Sequence, residues 1–379
     1  MKKIALVAPY NQYNYGTVLQ AYALQRKVEE QGVAAEYLQY NGIMPPPRLL
    51  RPLIWACHLY KSFLPKKHVI ASNNLDDFSF FRLPEFKPFA DGYKRFISKR
   101  IKESNVCYNP VSLKKCCAYD AFMTGSDQTW GRMRFNKHLP YFLDGANDDY
   151  PKLSYAPSIG TTHIPKDYLE VLKEKLSRYQ ALSCRELTNC KLLSNVLNRE
   201  VSYVIDPSLL LTADEWNSVA ESVEEIGLRK KQYILCYILG EKQCISDFAE
   251  DLGRKKTLPV YYIVTRPMYL TKENHIFATP ESFISMIRDA DTVITDSFHG
   301  TIFSINYNTQ FYSFTKRESS ESDDNDRILE VLESFQLKER YQEGKYEFVH
   351  DIDWRGINSI LSEQRIKSIA YLQKTLNLI

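Results

Sequence analysis

His299 lies in residues 290–314 (ADTVITDSFHGTIFSINYNTQFYSF), where residue types and spacing together point to chemistry. Val293 and Ile294 give a short apolar strand that ends at Asp296. Ser297, Phe298, His299 and Gly300 form a turn, and Thr301 opens one or two helical turns that run to Asn306. Asn308 and Thr309 break the helix, and 311–314 make the next strand. His299 is therefore expected at the carboxyl end of a strand and the amino end of a helix. In open parallel α/β sheets ligands bind there, and free helix amides favour anions. A lone histidine is more often a plain surface-turn residue. Its placement and the loop at 124–130 tip the reading towards function.

The loop Asn14-Tyr15-Gly16-Thr17 opens a helix, and Gly16 lets backbone come close to a ligand. One glycine is not the G-x-G-x-x-G fingerprint, so no nicotinamide cofactor is implied, and a plain tight turn fits equally well. The run Thr124-Gly125-Ser126-Asp127-Gln128-Thr129-Trp130 follows a strand. Ser126, Asp127 and Gln128 can read sugar hydroxyls and Trp130 can offer an apolar face to a pyranose, the plainer reading being a helix cap. At another strand end, Ser183-Cys184-Arg185-Glu186 presents a guanidinium that can grip a carboxylate or phosphate through two parallel hydrogen bonds. The plainer alternative is a surface Arg185–Glu186 pair worth little.

The elements that must position these groups alternate in α/β order. Residues 3–8 read as a buried strand; Val18, Ala21, Leu24 and Val28 recur at helical spacing until Gly32, and a strand follows at 35–40. That is a right-handed parallel βαβ start. Strands are expected at 121–124, 153–156, 181–184 and 201–205, and a second α/β half opens with strands at 232–239 and 260–264. An acidic loop at 318–326, a helix at 327–335 and a final helix at 357–378 complete it. The expected organisation is two Rossmann-like domains facing across a cleft. The first spans 1–195 with an inserted helical basic segment at 45–110, the second 196–355, and a helix at 356–379 returns to the first.

The formal charge of +3 implies no nucleic-acid partner. The eight cysteines form no C-x-x-C pair or Cys/His ladder, which argues against zinc or a disulfide framework and suits a reducing cytoplasm. The start, MKKIALVAPY, is too short in apolar residues for a signal core, and no stretch is long and apolar enough for a bilayer. Residues 48–102 carry twelve Lys and Arg against four Asp and Glu. The plain reading is a solvated basic face; the sharper one is a peripheral contact with the anionic inner face of a membrane.

Six stretches now add up. YNYGTVLQAYALQ (13–25), TGSDQTW (124–130), SYAPSIG (154–160), SCRE (183–186), VIDPSLLLTADEW (204–216) and ADTVITDSFHGTIFSI (290–305) occur in order. In this the chain resembles the polysaccharide pyruvyl transferases over nearly its whole length. The resemblance implies a GT-B-like fold and transfer of the enolpyruvyl group of phosphoenolpyruvate to a sugar as a cyclic ketal. The acceptor would be a cell-surface polysaccharide or its lipid-linked precursor, with no cofactor beyond the donor.

Carried over, His299 matches the family's histidine in the second domain and Arg185 its arginine near the domain junction. Many members carry an arginine two positions before the histidine, where this chain has Ser297; Lys316, Arg317 or Arg327 are the candidates to replace it. After Trp130 stands Gly131, where relatives often carry asparagine.

The expected chemistry follows. Arg185 and the helix beginning around Gly300 and Thr301 hold the donor's anions, with Asn14, Gly16, Ser126, Gln128, Ser297 and Arg327 as further substrate contacts. His299 is the general acid, worth ~10²–10⁴-fold; its helix N-terminus lowers its pKa and a bound phosphate raises it. Asp127 orients or deprotonates an acceptor hydroxyl. The alternatives are a nucleotide-sugar glycosyltransferase of the same architecture and a non-catalytic sugar-binding relative.

Overall fold

The computed structural model describes residues 1–40, 84–131, 140–240, 242–315, 324–344 and 346–379. The apolar-basic run at 49–64, together with Lys316 and Arg317, falls outside these residues.

Two parallel sheets organise the chain. In the first, β1 (Lys3–Val7) lies between β2 (Ala34–Tyr37) and β3 (Ala121–Thr124), with β4 (Lys152–Ser154) beyond β3. A parallel bridge from Leu153 to Ala181 extends this sheet to the short pair β5 (Ser183–Cys184) and β6 (Ser202–Tyr203). In the second, β7 (Ile234–Tyr237) and β10 (Thr292–Thr295) are central. β8 (Val260–Ile263) and β9 (His275–Ile276) lie on one side; β11 (Gln310–Phe314) and β12 (Tyr341–Gln342) lie on the other. Counted within that half, the order is 3-2-1-4-5-6, the doubly wound Rossmann order. Strand order reverses between β1 and β3 in the first sheet and between β7 and β10 in the second. The loops after β1, β3 and β10, which carry Asn14, Asp127 and His299, therefore all leave switch points.

The apolar runs form strands because each central strand is buried on both faces: β3, β7 and β10 have no exposed residue. The helix Tyr15–Glu30 starts where the Asn14 side chain accepts from the Thr17 amide. It is buried nearly all round, beyond the single stripe of Val18, Ala21, Leu24 and Val28. The reason is that the second half packs on its other side. Tyr15 stacks on Phe283 at 4.4 Å between centroids, and its hydroxyl donates to the Ala278 carbonyl at 2.8 Å. One apolar core consequently runs from Ile4 and Leu24 through Phe283 to Val293.

Two helices tie the halves together elsewhere. Lys87–Arg100 sets Phe89 and Tyr93 against Tyr15 and reaches the second half, where Gly92 faces Thr279. Trp354–Leu376 crosses back to the first sheet: the Tyr371 hydroxyl donates to the Ser154 carbonyl at 2.9 Å, and Ser368 accepts from the Ile205 amide at 3.0 Å. No helix among the described residues is long and apolar enough to cross a membrane.

Candidate functional site

β10 ends at Thr295, and the helix Phe298–Tyr307 begins where the Ser297 hydroxyl accepts from the Gly300 amide at 3.4 Å. His299 thus occupies the first turn of a helix that is almost wholly buried. Gly300 has a packing reason: a Cβ there would collide with the Thr295 hydroxyl, so glycine lets this helix close onto its strand. Thr301 turns inward, its hydroxyl bonded to the Ser297 carbonyl at 3.1 Å and to Ser313 at 2.7 Å. Ser297, Gly300 and Thr301 therefore build and seat the helix start. The amides of Gly300 and Thr301 are taken by Ser297, which reduces the anion-binding potential expected of this turn.

The residue that gathers the site is Asp206, which the reading of motifs passed over. It is buried, in the linker after β6, and caps the short helix Pro207–Leu210 by accepting from the Ser208 amide at 2.9 Å. Its Oδ2 accepts from Arg185 Nη1 at 2.7 Å and from the Ser126 hydroxyl at 3.1 Å, and lies 3.8 Å from His299 Nε2. Two loops from the first half and one from the second converge on a single carboxylate. An Asp-Pro pair after a strand looks in sequence like an ordinary helix cap, which is why the signal was indistinct.

Arg185 is buried, so the surface-pair alternative is excluded. Its guanidinium lies over the Phe298 ring at 4.1 Å, and Arg327 lies over the same ring at 5.9 Å. With Nη1 held by Asp206, Nε and Nη2 have no hydrogen-bond partner; Glu186 Oε1 is 4.0 Å from Nε. His299 Nε2 is likewise buried without a partner. Such groups are costly to leave unmade, about 1–3 kcal/mol each, and more for charged ones. Arg185, Asp206, Phe298, Arg327 and Glu330 line an open cavity of about 280 Å³. Of the three basic residues named as substitutes at Ser297, Arg327 lines this cavity, and Lys316 and Arg317 lie outside the described residues.

The electrostatics follow from burial and these neighbours. Burial pushes His299 below its ordinary value, the Asp206 charge pulls it back up and Arg185 opposes it again. The direction matches the expectation, but desolvation is its main cause. Burial would raise Asp206, yet the charges of His299 and Arg185 with the Ser208 amide overcome it and leave the carboxyl below its usual range.

The loop after β3 is held by structural bonds. Asp127 has a left-handed backbone (φ 77°), accepts from the Thr17 hydroxyl at 3.0 Å and from the Gln128 amide at 2.8 Å, and through its carbonyl holds the Ser158 amide. Its carboxylate thereby ties this loop to the first helix. Gln128 packs against Gly160. Trp130 is fully buried, parallel to Phe142 at 6.4 Å and edge-on to Tyr179. It is a core residue, and the pyranose-facing role expected of it is corrected. Asn14 is occupied too: its side chain caps the Tyr15–Glu30 helix and its backbone bonds the Tyr93 hydroxyl.

Gly16 approaches protein rather than open space. A Cβ built on it would fall within the His299 ring, against Nδ1 and Cγ and 2.6 Å from Cε1. A helical glycine costs about 0.8–1.0 kcal/mol against alanine, and here the histidine explains it.

Likenesses to solved structures are distant. UGT89C1 of Arabidopsis thaliana, complexed with quercetin, is 11% identical with TM-score 0.45, over 98% of this chain and 92% of that one. The UDP-GlcNAc 2-epimerase of Neisseria meningitidis, bound to UDP-GlcNAc, is 10% identical with TM-score 0.44, over 100% and 94%. The glycosyltransferase SnogD of Streptomyces nogalater is 12% identical with TM-score 0.42, over 100% and 99%. At such values they carry no argument about this chain, and no curated protein matches it. The decisive match is to a family: residues 14–315, from the cap of the first helix to the end of β11, match the one described as polysaccharide pyruvyl transferase, and the chain belongs to it.

Proposed function

We propose that this transferase uses phosphoenolpyruvate as its donor and joins the pyruvyl group to two hydroxyls of a saccharide as a cyclic ketal. The acceptor is a cell-surface polysaccharide or its lipid-linked precursor, and no cofactor is proposed beyond the donor. The observation that carries this reading is Arg185, whose free Nε and Nη2 present a two-pronged donor edge beside the cavity, with Arg327 across the Phe298 ring. That edge fits a carboxylate or phosphate, and phosphoenolpyruvate carries both.

In the proposed sequence, His299 gives a proton to the methylene carbon of the donor. The neighbouring carbon becomes oxocarbenium-like and one sugar hydroxyl adds to it. Phosphate then leaves and a second hydroxyl closes the ring. One hydroxyl proton restores His299 and the other departs on phosphate, so the step balances. Asp206 supports the imidazolium form from 3.8 Å, and a bound phosphate would add to that support. Asp127 would have to release Thr17 to serve as acceptor base. Glu330 lines the cavity with Oε2 unpartnered, burial raising its carboxyl, and is the better-placed carboxylate.

One observation weighs against the nucleotide-sugar alternative. In a Rossmann half the first loop holds a pyrophosphate. Here the amides of Leu239 and Gly240 in that loop donate to Asp296 at 2.6 and 2.7 Å. A phosphate-release assay with phosphoenolpyruvate and mixed glycans tests the proposal. In parallel, phosphoenolpyruvate at about one hundred times its dissociation constant should add roughly 2.7 kcal/mol of stability. Melting shifts with UDP- or GDP-sugars and none with phosphoenolpyruvate would hand the site to the glycosyltransferase reading. Binding of glycans without phosphate release would leave the non-catalytic one.

Peripheral contact with an inner-leaflet membrane through residues 48–102 is proposed on their basic excess, at about 1 kcal/mol per residue near an anionic surface. Of this segment, residues 84–102 are described. Sedimentation with anionic vesicles at low and high salt tests it; equal recovery with and without lipid leaves a solvated face.

A further inference from the structure

We infer that Gly16 is a positioning residue: its bare Cα is the seat against which the first half of the chain holds the His299 imidazole in place. The ring is carried by the second half, on the helix Phe298–Tyr307, and the seat by the first, on the helix Tyr15–Glu30. Along its Nδ1, Cγ and Cε1 side the ring abuts Gly16 too closely for any Cβ to fit. Its Nε2 faces Asp206 Oδ2 at 3.8 Å. The imidazole is thus confined between a backbone surface and a carboxylate, and the seat itself is held firmly. Tyr15, the preceding residue, stacks on Phe283 and bonds the Ala278 carbonyl, while the Thr17 hydroxyl bonds Asp127. The orientation of the proposed acid is therefore set across the domain junction.

A methyl group at position 16 has two ways to be accommodated. It can press the ring towards Asp206 or turn it out towards water. The charged groups acting on the imidazole are Asp206 and Asp127, which favour its protonated form, and Arg185 and Arg327, which oppose it. Closer approach to Asp206 and loss of burial both favour the charged form, so either displacement moves the His299 titration upward.

The experiment is Gly16→Ala, beside Gly356→Ala, a helical glycine whose Cβ would meet nothing. Titration of the substrate-free protein, followed by ¹⁵N shifts of the imidazoles, should show the His299 midpoint raised in Gly16→Ala and unchanged in Gly356→Ala. A midpoint that stays put or falls overturns the inference. Melting in a His299→Ala background removes the ring: there Gly16→Ala should raise the melting temperature as any helix alanine does, whereas with His299 present it should lower it. Equal effects in both backgrounds overturn the seat.

The inference rests on the proposed reaction only for its last arm. With phosphoenolpyruvate and acceptor, Gly16→Ala should lower kcat about a hundred-fold, the order expected of an ångström's misplacement, with KM for phosphoenolpyruvate little changed. A raised KM with unchanged kcat would make Gly16 a ligand contact and overturn the positioning role. Wild-type protein that releases no phosphate would sink the proposed reaction while leaving the titration and melting results to decide the seat.

Discussion

Asp206 holds Arg185 by one prong only: Oδ2 meets Nη1 at 2.7 Å, and the arginine's other two nitrogens are left without partners. The single contact fixes the guanidinium and balances its charge, and leaves its buried Nε and Nη2 without hydrogen-bond partners. The same oxygen lies 3.8 Å from His299 Nε2, so the proposed donor grip and the proposed acid would share one internal carboxylate.

Arg185→Lys keeps the charge and loses the two-pronged edge. A charge-assisted hydrogen bond is worth ~1.5–3 kcal/mol, so phosphoenolpyruvate affinity measured by calorimetry should fall roughly ten- to a hundred-fold. Undiminished affinity would place the donor elsewhere.

His299→Ala should separate binding from turnover. With proton transfer as its main role, kcat should drop by ~10²–10⁴-fold while donor affinity changes far less. If affinity falls as far as in Arg185→Lys, the imidazole is a phosphate contact and the acid is another group.

Asp206→Asn removes the negative charge and keeps the shape. The buried Arg185 then lacks its counter-ion, and breaking a buried pair from one side costs about 3–5 kcal/mol. Denaturant unfolding should record that loss. The His299 titration should also move further down, since the Asp206 charge is the larger of the two carboxylate charges that raise it. A variant as stable as wild type would show that the pair carries no such weight.

Stability should weaken as pH falls below about 6.5, the ordinary histidine value. His299 is held below that value in the folded protein, chiefly by burial, so the unfolded chain binds its proton first. Between the two midpoints the unfolded state holds more protons, and stability therefore rises with pH across that window and is lost as pH drops through it. Asp206, also depressed, acts in the same direction only below its ordinary 3.8. Urea midpoints at pH 7.5 and 5.5 should differ more in wild type than in His299→Gln; equal differences would assign the acid sensitivity to other groups.

How much of this was legible beforehand follows from the range of each cause. The strand at 121–124 is β3, and His299 lies at the strand-to-helix turn expected of it. Buried strands, the Ser297 cap and the Asn308 break are written in neighbouring residues, which act over a few positions. Trp130 was misread because an aromatic after a strand looks alike whether it faces a ligand or Phe142. Only packing distinguishes the two.

The alternation of strands and helices, the placing of the motif loops at strand ends and the family itself were determined by the sequence alone, because period, caps and motif order are local or linear properties. Tertiary structure alone decided that Asp206 gathers Arg185, Ser126 and His299, and that Gly16 bears on the histidine ring. These contacts join residues far apart in the chain. They exist because one continuous core clamps the two sheets together through the helix Tyr15–Glu30, and no local pattern encodes where two such surfaces will meet.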